Sequence, residues 1–300
     1  MGRKVLQAAM VILFLCGLGV FLYPKITEWY AAHSQKNAME EFKEEISAVQ
    51  KAQNKKTEEK GVKTEALQRL YSHMSEYNQR IYNEGQENLK DPFDYETPSF
   101  DLTEYGFESN VIGIIHIPKM DIELPLYLGA DSDNMKKGAV ILGETSMPIG
   151  GLNTNVVVAA HRGYQGTPMF REIEVLESGD IIEITTPYEV LTYEVTETKI
   201  VLPDEIHEIL IEEGKDKVTL LTCHPYTKNT HRYLVYAERC ETAAETQHTD
   251  AVSEIEEVVS EEEKSSSRQQ IWLETYVPFL GAGMICLLIV CGFLLTRKKK

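Results

Sequence analysis

The chain has 300 residues, of which 43% are hydrophobic, and its formal net charge is −17 at pH 7. This length accommodates one core of moderate size together with additional segments. The negative charge argues against nucleic acid as a partner, because proteins that bind phosphate backbones need a surplus of cations.

Two segments without charged side chains lie near the ends of the chain. Residues 5–24 contain Gln7 as their one strongly polar side chain, and residues 276–296 contain none. Each segment is about long enough to cross ~30 Å of hydrocarbon as a helix. A cleaved signal peptide is the alternative for the first segment, although its apolar run exceeds the ~7–15 residues usual there. The sequence therefore predicts two membrane spans.

Cations flank both predicted spans. Arg3 and Lys4 precede the first span, and residues 297–300, which are all Arg or Lys, follow the second. By the positive-inside rule these cations remain in the cytoplasm. The sequence thus predicts a two-pass protein of the cell membrane, with the region between the spans on the extracellular face.

The predicted extracellular region begins with a helical pattern. From residue 28 to about residue 90 the chain is rich in Glu, Lys, Gln and Ala, and apolar residues such as Ala66 and Leu70 recur at helical spacing. Gly61 is the predicted break. This pattern predicts two amphipathic helices.

Short β-branched runs punctuated by Gly and Pro follow from about residue 110. They include VIGIIHIP, NVVVAA, KVTLLTC and RYLVYAE. About eight such runs without long intervening helices are typical of an all-β barrel or sandwich. Beyond this region the chain is rich in Asp and Glu, and this composition predicts an extended tether before the second span.

Three chemically capable side chains stand at the ends of these predicted strands. NVVVAA leads into His161, and KVTLLT leads into Cys223. A connection of about eight residues can then return the chain antiparallel, which brings Arg232 beside Cys223. A thiolate nucleophile, an imidazole that exchanges protons and a guanidinium that stabilises an oxyanion together suit acyl transfer.

Each of these residues also has a plain structural interpretation. A cysteine that closes a strand is often buried filler, and a lone arginine such as Arg232 is often a surface cation. A disulfide between Cys223 and Cys240 is a further alternative in an oxidising compartment.

His224 and His231 are rival candidates for the catalytic imidazole. If Arg232 faces the site, His231 points away from it, because adjacent strand residues face opposite sides. No Cys or His spacing indicates zinc, and the sequence predicts no metal or cofactor.

The motifs around these residues resemble those of the sortases. TLLTC followed by PYTKNTHR resembles the Thr-Leu-x-Thr-Cys signature and downstream Asn-Thr-His-Arg of that family, and AAHRG resembles the sequence around its histidine. GETSMPIGGLNTNVVVAAHRG is similar to the corresponding segment of class C, the pilus-assembling sortases. The resemblance covers about residues 110–238 and implies a mainly β fold, an eight-stranded sortase-type barrel.

The resemblance also implies roles and partners. Cys223 corresponds to the nucleophile, His161 to the general acid and base, and Arg232 to the residue that stabilises the oxyanion or positions substrate; Thr222 is a candidate for substrate binding. Sortases cleave a Leu-Pro-x-Thr-Gly-like sorting signal between Thr and Gly to give a thioester, which an amine resolves. In pilus enzymes the amine is a lysine of another pilin. The implied partners are pilins or surface proteins that bear such signals.

Class C sortases typically carry a lid built on an Asp-Pro-aromatic motif upstream of the barrel. Here KDPFDYETP supplies Asp91, Pro92 and Phe93. The resemblance implies that Asp91 pairs with Arg232 and that Phe93 covers Cys223. The alternative is that Pro92 only stops the preceding helix and Phe93 packs on the barrel.

The sequence departs from the class C pattern directly after Cys223. His224 stands where class C members usually have Thr, and it is a candidate for perturbing the pKa of Cys223. A housekeeping sortase that attaches proteins to the cell wall, or a non-enzymatic membrane scaffold, is the alternative function.

The predicted domains are 1–24 (cytoplasmic start and first membrane helix), 25–90 (extracellular helical segment), 91–109 (lid and connection), 110–242 (catalytic barrel), 243–275 (acidic tether) and 276–300 (second membrane helix with basic tail).

Overall fold

A computed structural model of the chain describes residues 2–53, 59–91, 93, 99–164 and 166–240. The predicted acidic tether, the predicted second membrane span and Pro92 of the predicted lid lie outside these described residues. The described chain divides into two compact units, with the boundary between Tyr30 and Ala31. The first unit holds the start of the first helix, and the second unit holds the barrel.

The first helix, α1, spans Gly2–Gln53 and contains Pro24 in its interior. The hydroxyl of Thr27 donates to the carbonyls of Tyr23 at 3.1 Å and Pro24 at 2.9 Å. Among the described residues, α1 contains the one stretch that is long and apolar enough to cross a membrane, and its most apolar window is not buried in the protein. By length and composition, α1 can serve as a membrane anchor.

The second helix, α2, spans Glu59–Glu84. Leu70, Met74 and Ile81 lie on its buried face, in agreement with the helical spacing in the sequence. The predicted break at Gly61 is wrong, because Gly61 lies inside α2. A single glycine costs a helix only about 1 kcal/mol, and tertiary packing of an amphipathic face contributes most of a helix's stability.

Eight strands form a closed barrel, in the order β1-β2-β3-β4-β7-β8-β6-β5. A short helix, α3 (Ser132–Lys137), connects β2 to β3. The strands are β1 (Val111–Ile117), β2 (Ile122–Leu128), β3 (Ala139–Ile141), β4 (Thr154–Ala159), β5 (Ile181–Thr185), β6 (Val190–Val201), β7 (Asp216–His224) and β8 (His231–Arg239). The eight-stranded barrel expected from the sequence is confirmed.

The centre of the sheet positions the candidate site. β4 pairs with β7 in parallel, and β7 pairs with β8 antiparallel. All six residues of β4 and the seven interior residues of β7 are buried. Their near-continuous apolar runs are typical of strands that are covered on both faces. The ends of β4 and β7 and the start of β8 consequently meet at one edge of the barrel.

Candidate active site

The pairing of β4 with β7 brings the predicted nucleophile and histidine to adjacent positions. Ala159 at the end of β4 is paired with Leu221 in β7. His161 and Cys223 each lie two residues beyond this pair. Because neighbouring strands run about 4.8 Å apart, the parallel register places these two residues side by side at the barrel edge.

The pairing of β7 with β8 places Arg232 directly opposite Cys223, as the length of the connection predicted. Directly opposed residues have Cβ atoms about 4.5–5.5 Å apart on one face of the sheet. Nη1 of Arg232 donates to the carbonyls of Asn229 at 3.3 Å and His231 at 3.0 Å. These bonds hold the guanidinium beside the thiol.

Asp91 and Phe93, which we call the cover, lie over this edge. Arg232 Nε donates to Asp91 Oδ1 at 3.0 Å, and Arg232 Nη2 pairs with Asp91 Oδ2. The guanidinium carbon lies 5.0 Å from the centroid of the Phe93 ring. The same ring lies 5.7 Å, centroid to centroid, from the imidazole of His161. The cover thus contacts both predicted partners of the nucleophile, Arg232 and His161.

Burial sets the protonation preference of the thiol and the imidazole. Cys223 is 8% exposed, and this burial raises the pKa of its thiol; Arg232 and Arg162 oppose the rise, and Asp91 adds to it. Burial also lowers the pKa of His161. Both shifts favour the neutral thiol and neutral imidazole over the thiolate and imidazolium. Removal of Asp91 would therefore favour the thiolate.

Thr222, the candidate for substrate binding, is fully buried. Its hydroxyl donates to the carbonyl of Ala160 at 2.7 Å. This hydrogen bond joins β7 to the residue that directly follows β4. As the neighbour of Cys223 in a strand, Thr222 points to the opposite face. A contact between its hydroxyl and a substrate would require this bond to open.

The two rival imidazoles make other contacts. Nδ1 of His224 lies 2.8 Å from Arg162 Nη1 and 3.0 Å from Glu174 Oε1. Nδ1 of His231 lies 2.9 Å from the hydroxyl of its neighbour Thr230. His161 is therefore the imidazole that contacts the cover. The contacts from Arg162 and Glu174 were not predicted, because no sequence signal connects a glutamate before β5 with the end of β7.

Cys240 occupies a different place in the fold from Cys223. It follows directly after β8, and its Sγ lies 3.6 Å from the carbonyl oxygen of Thr192. Arg232, the partner of Cys223, is at the other end of β8, and a strand of this length separates the two cysteines by about 25 Å. Both thiols are free. The disulfide alternative is wrong, because a bridge needs Cα atoms within about 7 Å.

A cavity of about 670 Å³ lies between α1, α2 and the turn that precedes β1. Its lining includes Glu41, Glu104 and Arg69 and none of the three predicted catalytic residues. The candidate active site is therefore separate from this cavity and lies at the covered barrel edge.

Sequence comparison identifies one domain in this chain. A model described as the sortase domain matches residues 115–240. Sortase D of Bacillus subtilis (strain 168) is 33% identical over 130 residues, a region that is 42% of this chain and 63% of that protein. The chain thus spans less than two thirds of the length of this curated relative.

Structural comparison identifies neighbours of one class. The Type III crystal structure of Streptococcus agalactiae sortase C1 matches with a TM-score of 0.58 and 29% identity, covering 70% of this chain and 98% of that one. The pilus-related sortase C of Group B Streptococcus matches with a TM-score of 0.52 and 33% identity, covering 58% of this chain and 91% of that one. The similarity therefore extends over nearly the whole of both solved chains.

Proposed function

The chain belongs to the sortase family, and we propose that it is a membrane-anchored class C cysteine transpeptidase that joins pilin subunits. The observation that carries the proposal is the register of three strands, which puts Cys223 opposite Arg232 and beside the strand end that bears His161. This arrangement supplies a nucleophile, a fixed cation and a proton carrier at one edge, as acyl transfer requires.

In the first half-reaction, His161 takes the proton of the Cys223 thiol, and the thiolate so formed attacks the threonine carbonyl of a Leu-Pro-x-Thr-Gly-like sorting signal. Arg232 stabilises the negative charge that develops on the carbonyl oxygen, and it suits this role because a guanidinium stays charged. His161 gives a proton to the departing glycine amine. The peptide bond breaks, and a thioester between the threonine and Cys223 remains.

In the second half-reaction, a lysine amine of another pilin resolves the thioester. The neutral imidazole of His161 accepts a proton from this amine as it attacks. The bond to sulfur breaks, and Cys223 leaves as a thiolate that takes the proton from His161. The product is an isopeptide bond between two subunits, and the enzyme returns to its starting protonation state without an oxidant or a cofactor.

The cover supports assignment to a lidded, pilus-assembling class. Asp91 accepts hydrogen bonds from the Arg232 guanidinium, the group to which the oxyanion would bind. Phe93 lies against both Arg232 and His161. A substrate carbonyl can reach Arg232 only after Asp91 leaves it. We therefore assign Asp91 and Phe93 to a lid that opens when a sorting signal binds. The apolar start of α1 supports the membrane anchor, and the predicted second span would complete a two-pass topology.

The test uses the full chain in membranes, a Leu-Pro-x-Thr-Gly peptide and an acceptor peptide with a single lysine. We expect mass spectrometry to find the donor, cut after threonine, joined to the lysine side chain. An acceptor with an acetylated lysine and a blocked N-terminus is the matched control and should give no joined product. If pilin sorting signals are neither cleaved nor joined under these conditions, the proposal is wrong.

A further inference from the structure

A cluster of three side chains beside the site has no part in the proposed reaction. We name Arg162, Glu174 and His224 the Arg-Glu-His cluster. Arg162 Nη2 lies 2.6 Å from Glu174 Oε1, and the same oxygen lies 3.0 Å from His224 Nδ1. Arg162 Nη1 lies 2.8 Å from His224 Nδ1. The side chains of Arg162 and His224 are 7% and 20% exposed, whereas that of Glu174 is 47% exposed, so a half-exposed carboxylate pairs with a buried guanidinium.

The cluster connects the chain neighbours of the two reacting groups. Arg162 directly follows His161, and His224 directly follows Cys223. Glu174 lies in a 3₁₀ turn, Ile173–Val175, within the long connection between β4 and β5. We propose that Glu174 and His224 are positioning residues that, through Arg162, hold the His161 loop against the end of the Cys223 strand. The catalytic part of this inference rests on the proposed function.

The hydrogen bonds define the protonation state in which the cluster is complete. A guanidinium can only donate, so in the bond with Arg162 the Nδ1 of His224 accepts and the proton of the neutral imidazole lies on Nε2. In that state Nδ1 donates nothing to Glu174, and within the cluster the carboxylate is held by Arg162 alone. Burial lowers the pKa of His224, the charge of Arg162 adds to this effect, and Glu174 opposes it. From β8, His231 and the ring of Tyr233 also face this imidazole. The Arg162–His224 bond is therefore complete when His224 is neutral.

Other contacts pack the loop after His161, and one of them reaches the β7–β8 connection. The N–H of Phe170 donates to the carbonyl of His161 at 3.1 Å. The guanidinium of Arg171 lies 5.9 Å from the ring of Tyr226 in the β7–β8 connection. Gly163 has φ +90°, and a Cβ there would lie 2.6 Å from Arg171 Nη2. The loop after His161 is thus packed closely, and the cluster is its charged link to the strand end that bears Cys223.

Loss of this link should affect the chemical step more than substrate binding. A displacement of about 1 Å in a reacting group can reduce turnover by up to about 10²-fold. Glu174→Gln removes the charge that holds the buried guanidinium of Arg162, and we expect kcat to fall about tenfold while KM stays within about twofold. His224→Leu removes the acceptor and should have a similar effect.

Two further variants separate positioning from simple packing. His224→Gln retains an acceptor for Arg162, so we expect it to keep kcat within about threefold of the native value. The control is Glu183→Gln, which removes the carboxylate 2.9 Å from Nδ1 of His116. This pair joins β5 to β1, neither of which is next to β7 in the barrel. The control removes the same kind of pair away from the site.

The first readout is hydrogen exchange of the full chain, which does not depend on any enzyme activity. In Glu174→Gln and His224→Leu, we expect backbone amides of residues 161–171 to exchange about tenfold faster than in the native chain. His224→Gln and Glu183→Gln should leave this segment unchanged. The second readout is kcat and KM on the sorting-signal peptide, measured for the same four variants.

The outcomes separate this inference from the proposed function. Unchanged exchange in residues 161–171 after Glu174→Gln would overturn the inference, and so would faster exchange with an unchanged kcat. Equal losses in His224→Gln and His224→Leu would overturn it as well. If native protein turns over no sorting signal but Glu174→Gln still speeds exchange in residues 161–171 alone, the link between the segments stands and the proposed function fails.

Discussion

The barrel edge and the cover meet at Arg232 but are held in different ways. Backbone pairing fixes Cys223 and Arg232 directly, and a backbone bond from Ala160 to Leu221 fixes the residue before His161. Side-chain contacts to Arg232 and His161 hold Asp91 and Phe93. Ladders of core strands open only in large unfolding events, whereas individual side-chain contacts open locally. The proposed reacting groups can therefore be preassembled while access to them remains adjustable.

The largest expected effect comes from the reacting sulfur within the fixed region. Cys223→Ala should reduce transpeptidation by more than about 10³-fold, because no other group can form the thioester. Cys240→Ala is the matched control, since this thiol lies beyond the other end of β8, and it should leave turnover unchanged. Both variants are assayed for joined peptide and checked for a native melting temperature. Normal joining by Cys223→Ala would contradict the assignment of the nucleophile.

The next effect tests whether the barrel edge requires a guanidinium rather than any cation. We expect Arg232→Lys to reduce kcat by about 10²-fold, because an ammonium cannot reproduce the planar donors directed at the oxyanion. Steady-state kinetics on a sorting-signal peptide measures this loss. Lys199→Arg, an exposed position on β6, serves as a control for the exchange of cations. If Arg232→Lys has native kcat, oxyanion stabilisation by Arg232 is wrong.

A moderate effect should follow from removing the charge of the cover. Asp91 raises the pKa of the Cys223 thiol, so its loss lowers that pKa and moves the alkylation of Cys223 to lower pH. In Asp91→Ala we expect alkylation near neutral pH to be about tenfold faster than in the native chain. Peptide mass spectrometry follows Cys223, and Cys240 in the same sample is the internal control. An unchanged pH profile for Cys223 would show that Asp91 does not protect the thiol.

The smallest effect should come from the apolar half of the cover. Phe93→Ala removes a ring that contacts Arg232 and His161 but carries no charge. We therefore expect a rise of about threefold in the alkylation rate of Cys223, through lost burial alone. The same mass-spectrometric assay measures it, and Phe93→Leu should restore most of the protection. If Phe93→Ala raised the alkylation rate of Cys223 more than Asp91→Ala, burial by Phe93 would protect the thiol more than the charge of Asp91 does, which contradicts this account.

The barrel could be predicted from the sequence because its signals are local. Alternating and continuous apolar runs identify the strands, and the short connection after Cys223 fixes its register with Arg232. The sequence predicts the ends of β4 and β7 as two separate strand ends. It does not predict that these strands are neighbours, because parallel pairing leaves no turn signal. Gly61 was misread as a helix break, because the packing of α2 on the barrel cannot be read from one glycine.

The surroundings of the reacting groups could not be predicted in the same way. From the sequence, His224 is a candidate for perturbing the pKa of Cys223, whereas the structure places its Nδ1 against Arg162 and Glu174. These contacts depend on how the connection after β4 folds back over the end of β7. Charged side chains that meet across such a connection share no spacing in the sequence, so their pairing becomes visible only in the folded chain.

The most direct test of the central claim is to trap the acyl-enzyme. The full chain is mixed with a Leu-Pro-x-Thr-Gly peptide in the absence of an acceptor amine, quenched in acid, digested and analysed by mass spectrometry. We expect the peptide that contains Cys223 to carry the donor up to its threonine through a bond that hydroxylamine cleaves. A donor attached to any other residue, or cleavage of the signal with native kinetics by Cys223→Ala, would contradict the account.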